Sequence, residues 1–252
     1  MYPGGAVSVL EFKGVSRVYV RGARAKSVLA DISFSIERGD CIALYGANRS
    51  GKSTLLRLAV GADSPTAGSV LYGGEPFAEI GERHADLLRS EIAWIPATPD
   101  LRPELSVLEQ VALARYLTSR DIGRATAEAE EALAMAGIED CAASRPPQLS
   151  TGELRLAALA QGIVKRPRLL VADDPAADLD PDERERVLTL LRRSASELST
   201  AVLYSATQAD QTLASTWLMR LSAGRLIVPE PQPEAEVITL ASRKRGDARA
   251  HA

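Results

Sequence analysis

The sequence predicts an α/β fold, with a parallel sheet covered on both faces. Three observations carry that expectation. Short apolar runs at 41–45, 169–172 and 201–204 have the length of fully buried strands. Stretches of helical periodicity, at 54–60 and 182–198, follow the first two of them. Gly46, Gly51, Lys52 and Ser53 fit the pattern G-x-x-x-x-G-K-[ST], and they join the first apolar run to the first helical one.

Along the chain, residues 9–45 read mostly as strands. The stretches 7–12 and 32–36 alternate apolar and polar side chains, and Arg38, Gly39 and Asp40 turn the chain into the run 41–45. Pro65, Gly68, Gly73 and Gly74 bracket a short strand at 69–72. From 106 to 164 the pattern becomes helical. Ser106 with Glu109 makes a capping box there, and Gly137 closes an Ala- and Glu-rich helix at 125–136. From Pro229 the composition turns Pro- and Glu-rich, then basic at Arg243, Lys244 and Arg245. Such a tail is expected to be disordered, with contact to a membrane surface or a partner as the alternative.

Composition narrows the function classes. With 252 residues the chain has length for a sizeable core, and its 46% hydrophobic content suits a globular protein. A net charge of −3 gives no electrostatic case for nucleic acid as a main partner. The longest apolar stretch, 154–164, is interrupted by Arg155 and Gln161 and is too short to span a bilayer. The first five residues have neither the charge nor the apolar segment of a secretory signal. Two cysteines, Cys41 and Cys141, cannot build a disulfide framework. These features lead us to expect a reducing, cytoplasmic location.

The phosphate loop carries the chemistry. Glycines 46 and 51 let the backbone curl so that N–H groups face an anion, and the helix N-terminus adds partial positive charge. The expected contacts run through Ala47, Asn48, Arg49, Ser50 and Thr54 as well. Lys52 is placed to reach the β- and γ-phosphates, and the Ser53 hydroxyl to ligate Mg²⁺. Such a loop needs a carboxylate near its metal. Asp173, at the end of the run 169–172, is the candidate inner- or outer-sphere partner, and Asp174 follows where a general base for water would stand.

The stretch 149–153 (Leu, Ser, Thr, Gly, Glu) resembles the signature motif of ATP-binding cassette (ABC) ATPases. The order of phosphate loop, helical insertion, signature, acidic strand and Asp180-containing loop covers nearly all of 7–228. Residues 100–111, Glu153 and 172–175 are similar to the branch serving lipoprotein release, macrolide export and cell division. The resemblance implies a P-loop NTPase core with an antiparallel β subdomain, a helical insertion at about 88–164, one domain over 1–228, and a tail at 229–252. It further implies a dimer sandwiching two Mg·ATP, in which Ser150 and Gly152 reach the partner's nucleotide. Tyr19 stands where the family stacks an aromatic ring on adenine; a strand tyrosine serves equally often in a core or on a surface.

Four positions depart from the family pattern. Ala97 replaces a glutamine, Thr151 the signature's first glycine, Asp174 the catalytic glutamate and Thr207 a histidine. Arg49 replaces a small loop residue and points either outward or toward phosphate. The groups for ground-state Mg·ATP remain, and those acting on water and the transferring phosphoryl are altered. A carboxylate misplaced by about an ångström can cost about a hundredfold in rate. The expectation is an ATP-binding subunit that hydrolyses slowly, sits peripherally on the inner face of the membrane, and drives separate transmembrane permease subunits docked near 97–110. Its second ATP-binding subunit would be a copy of itself or a competent homologue. The alternative is a non-transporting ATP clamp that holds a membrane partner in one state. A soluble ATPase of DNA repair or translation would need two cassettes or a long insertion, and neither is present.

Overall fold

The computed structural model describes residues 8–22, 24–212 and 214–231. Its first part is a strand layer. The long strands β1 (Leu10–Arg21) and β2 (Arg24–Ile36) form a hairpin, followed by β3 (Cys41–Tyr45), α1 (Lys52–Ala59), β4 (Ala67–Tyr72) and β5 (Glu75–Pro76). Two short helices, α2 (Phe77–Ile80) and α3 (His84–Ser90), lead to β6 (Ile92–Ile95). Helices α4 (Val107–Ser119), α5 (Ile122–Ala136) and α6 (Thr151–Ile163) come next, then β7 (Leu169–Ala172), α7 (Pro181–Leu198), β8 (Ala201–Ala206), β9 (Trp217–Ser222) and β10 (Arg225–Pro231).

Two sheets result. One is antiparallel, in the order β2-β1-β4-β5; the other runs β10-β9-β3-β8-β7-β6, parallel throughout except for β10. The apolar runs are buried because both faces of the parallel sheet are covered. Cys41 and Ala43 of β3 face the helical side with Leu170, Val202 and Tyr204, whereas Ile42 and Leu44 face α1 and the antiparallel sheet with Leu169, Val171 and Leu203. Period-two alternation thus feeds two cores from one strand. A core Leu such as Leu203, fully buried, contributes about 1.5–3 kcal/mol by leaving water.

The helical layer is set by its caps. Ser106 and Glu109 form the capping box of α4 as expected, Asp121 caps α5, and Gly137 ends α5. Within the span expected for the insertion, β6 belongs to the parallel sheet, pairing with β7. Four residues bounded by Glu91 and Pro96 are too short to break a helical reading of the sequence. At the other end, β10 continues to Pro231, past the expected start of the tail at Pro229; the remainder of that tail lies outside the described residues. Among the described residues no helix is long and apolar enough to cross a membrane.

Candidate nucleotide site

The loop between β3 and α1 closes around its own lysine. Lys52, 8% exposed, donates from Nζ to the carbonyls of Gly46 (2.6 Å) and Ala47 (3.1 Å). Gly46 is required by a close approach: a Cβ there would lie 2.4 Å from the Leu221 carbonyl oxygen. Gly51 caps α1 at φ 110°, a conformation that a side chain would strain, and no side chain caps the helix. The first-turn amides of α1 are therefore left for a ligand.

In front of the loop lies a cavity of about 970 Å³. Asn48, Arg49, Gly51, Lys52, Ser53 and Thr54 line it, facing Asp173 and Asp174 from the end of β7 and Ala97 from the loop after β6. Gly46, Ala47 and Ser50 instead line an adjoining cavity of about 450 Å³ behind the loop, which Arg49, Thr207 and Arg220 share. Tyr19 is on the wall of the main cavity, but its hydroxyl donates to Asp63 (2.6 Å) and Arg17 lies over its ring, 4.5 Å from the centroid. Ser150 and Gly152 lie outside both cavities, at the N-terminus of α6.

The acids are held by β8. The Ser205 hydroxyl donates to Asp173 Oδ1 (2.7 Å) and accepts from the Asp174 N–H (2.8 Å), and the Thr207 hydroxyl donates to Asp174 Oδ2 (3.0 Å). Asp174 sits at φ 47°, and its Oδ1 is buried with no hydrogen-bond partner. Burial pushes the Asp174 carboxyl up, against the opposing pull of the Thr207 hydrogen bond and Lys52. Burial likewise pushes the Lys52 ammonium down, opposed by Asp174 and Asp173. Each charge is short of compensation, so an anion beside Lys52 and a cation beside Asp174 would each relieve a desolvation penalty. The donor set fits Mg²⁺: the Ser53 hydroxyl and the Asp173 carboxylate are hard oxygens on one cavity, beside the orphaned Asp174 oxygen.

Some participants were not read from the sequence. Arg24, Lys26 and Val28 of β2 line the cavity, brought there by the hairpin. Arg155 of α6 donates to the Ala97 carbonyl, and Gln211 fixes the Thr207 backbone through its Oε1 (2.8 Å).

The model of the ABC transporter family matches residues 29–177. The lipoprotein-releasing system ATP-binding protein LolD of Shewanella denitrificans is 34% identical over 194 residues, 77% of this chain and 83% of that protein. LolD of Shewanella oneidensis is 32% identical over 225 residues, 88% of this chain and 97% of the relative. Among solved structures, the dimeric ATP-binding cassette MJ0796 bound to ADP and Pi superposes with a TM-score of 0.80 at 25% identity, covering 88% of this chain and 98% of that one. By the match to that family and the identity to these relatives, this chain belongs to the ABC transporter family as an ATP-binding subunit.

Proposed function

We propose that the chain binds Mg·ATP at a dimer interface and, through it, drives or gates separate transmembrane subunits at the inner face of the membrane. The observation that carries this is the convergence of Asn48, Arg49, Gly51, Lys52, Ser53 and Thr54 with Asp173 on one cavity, with Lys52 itself buried. Lys52 and the α1 amides hold the phosphates. Ser53 and Asp173 hold Mg²⁺, which when bound neutralises charge on the phosphates. Tyr19, tied to Asp63 on the cavity wall, is assigned to the base. Ser150 and Gly152 complete the site of a second ATP-binding subunit. The lipoprotein-releasing relatives suggest permeases as partners, docked beside the helical layer near 97–110.

Hydrolysis is proposed to be slow. Ala97 offers only a methyl and a carbonyl taken by Arg155 where a water-orienting amide would stand. Asp174 is turned onto Thr207, and its acceptor oxygen is a methylene short of a glutamate's reach. Equilibrium dialysis with ATP and a single-turnover ATPase assay test the two halves separately. Tight ATP retention with slow turnover, alone and with the membrane complex, is the expected result. Absence of ATP binding, or its persistence in Lys52→Ala, sinks the reading; rapid turnover by the isolated chain sinks the slow-hydrolysis half.

A further inference from the structure

Among the described residues, three helices begin with the same local pattern, a capping Ser or Asp followed three residues later by Glu. In α4 and α6 the pattern closes on itself: the Ser106 N–H donates to Glu109 (2.7 Å), and the Ser150 N–H to Glu153 (2.8 Å). In α7, Asp180 caps through its side chain, accepting from the Glu183 N–H (2.8 Å), but the reciprocal half is missing. The Glu183 carboxylate has gone elsewhere. Its Oε1 accepts from the Ser150 hydroxyl (2.9 Å) and from the Gly152 N–H (3.3 Å), at the N-terminus of α6. The approach is so close that a Cβ on Gly152 would lie 2.5 Å from Glu183 Cδ. Glu153 cannot serve there, because its two oxygens are committed to the Ser150 N–H and the Cys141 thiol (3.4 Å).

A carboxylate on a helix N-terminus, accepting one hydroxyl and one backbone N–H, makes the bonds that a phosphate oxygen would make. Ser150 and Gly152 are the groups assigned above to a second subunit's nucleotide, and this inference rests on that assignment. We propose that Glu183 is an internal latch: in the free subunit its carboxylate fills the anion-binding end of α6, and it must swing out before α6 can take the terminal phosphate of a nucleotide held by a second subunit. Two anions cannot share those donors, because like charges at that separation repel. Triphosphate, with more charge than a carboxylate, displaces the latch; a nucleotide lacking the terminal phosphate leaves it closed. Release also removes the tie between α6 and the first turn of α7, which follows the 174–180 loop directly. Occupancy of α6 is thereby coupled to the segment that carries Asp174.

Sedimentation of the chain with a non-hydrolysable ATP analogue and Mg²⁺, alone and with its second ATP-binding subunit, tests the latch. Glu183→Ala, and Glu183→Gln, which keeps the volume without the charge, are expected to dimerise at about tenfold lower nucleotide, the worth of one charge-assisted hydrogen bond. Where the chain pairs with itself, two latches open per dimer and the dimerisation constant rises by about the square of the single-latch factor. ATP binding by the monomer, at the Lys52 cavity, is expected to be unchanged in dialysis. A mere structural tie between α6 and α7 predicts the opposite sign: lower melting temperature and no easier dimerisation. Unchanged, weaker or absent dimerisation in variants that still bind ATP overturns the latch. Failure of the unmodified chain to bind ATP overturns the proposed function itself.

Discussion

The two ends of the main cavity are built differently. At the α1 end, a buried ammonium is held by two loop carbonyls, and the helix beside it begins at a glycine of positive φ with no side-chain cap. At the β7–β8 end, Asp173 is firmly oriented by Ser205, yet Asp174 keeps one oxygen unpartnered and gives the other to Thr207. Across from it, Ala97 presents no side-chain donor. One end is preorganised to receive charge, and the other is the end at which the proposed slow hydrolysis would arise. Holding a triphosphate and cutting it are separable tasks, because only the second needs contacts unique to the transition state.

Breaking the strong end gives the largest expected effect. Lys52→Ala should weaken ATP binding by about two to three orders of magnitude, the scale of one lost charge-stabilising donor, read by equilibrium dialysis, with little change in melting temperature. Rebuilding the weak end is the converse. Ala97→Gln, Asp174→Glu and Thr207→His together should raise single-turnover hydrolysis by about a hundredfold, while ATP affinity stays within about threefold. A rise in affinity with no gain in rate would place the deficiency elsewhere. Next in size is Gly46→Ala, whose Cβ would meet the Leu221 carbonyl at 2.4 Å. It should destabilise the fold by about 1–3 kcal/mol in urea titration and loosen the lysine's cradle at the same time.

The smallest effect concerns the cavity's outer wall. Asp63, 14% exposed at its side chain, takes bonds from Tyr19 and from Arg17 (2.6 Å each). Burial works to raise its carboxyl pKa, and the Tyr19 hydroxyl, the Ser64 N–H and Arg17 outweigh it, leaving the group below its ordinary 3.8. With the folded value depressed, the clamp's stabilisation is complete above about pH 4 and is lost as pH falls through the folded pKa. Asp63→Asn should cost about 1 kcal/mol at neutral pH and flatten the acid limb of the stability profile in thermal melts. If Tyr19 then packs on the base, ATP affinity rises in the same variant.

Much of the strong end was legible in the chain because it is local. Gly46 to Ser53 form one continuous turn, and the apolar runs beside it are buried on both faces, so periodicity and motif point the same way. The capping box of α4 was equally readable, three residues apart, whereas that of α6 emerged only from the structure. The weak end was legible only as departures from a family pattern, since Ala97, Asp174 and Thr207 come from three separate strands' ends. Ser205 and Arg155 escaped notice for the same reason: they touch the acids and the Ala97 carbonyl through strand pairing and helix packing that no local pattern encodes. Tyr19 shows the limit well, because its hydroxyl partner is 44 residues away.

By itself, then, the sequence determined the phosphate loop, the buried strands, the existence of the main helices and the family, while α5 begins at Ile122, three residues before the expected 125. These depend on neighbours within a few residues, where backbone conformation and side-chain period leave few alternatives. The tertiary structure decided that β6 joins the parallel sheet, that Ser205 orients both acids, and that Glu183 abandons its own helix for α6. Those outcomes turn on which distant donors and charges compete for a group once the chain is packed, and a carboxylate follows the strongest unsatisfied donors within its reach.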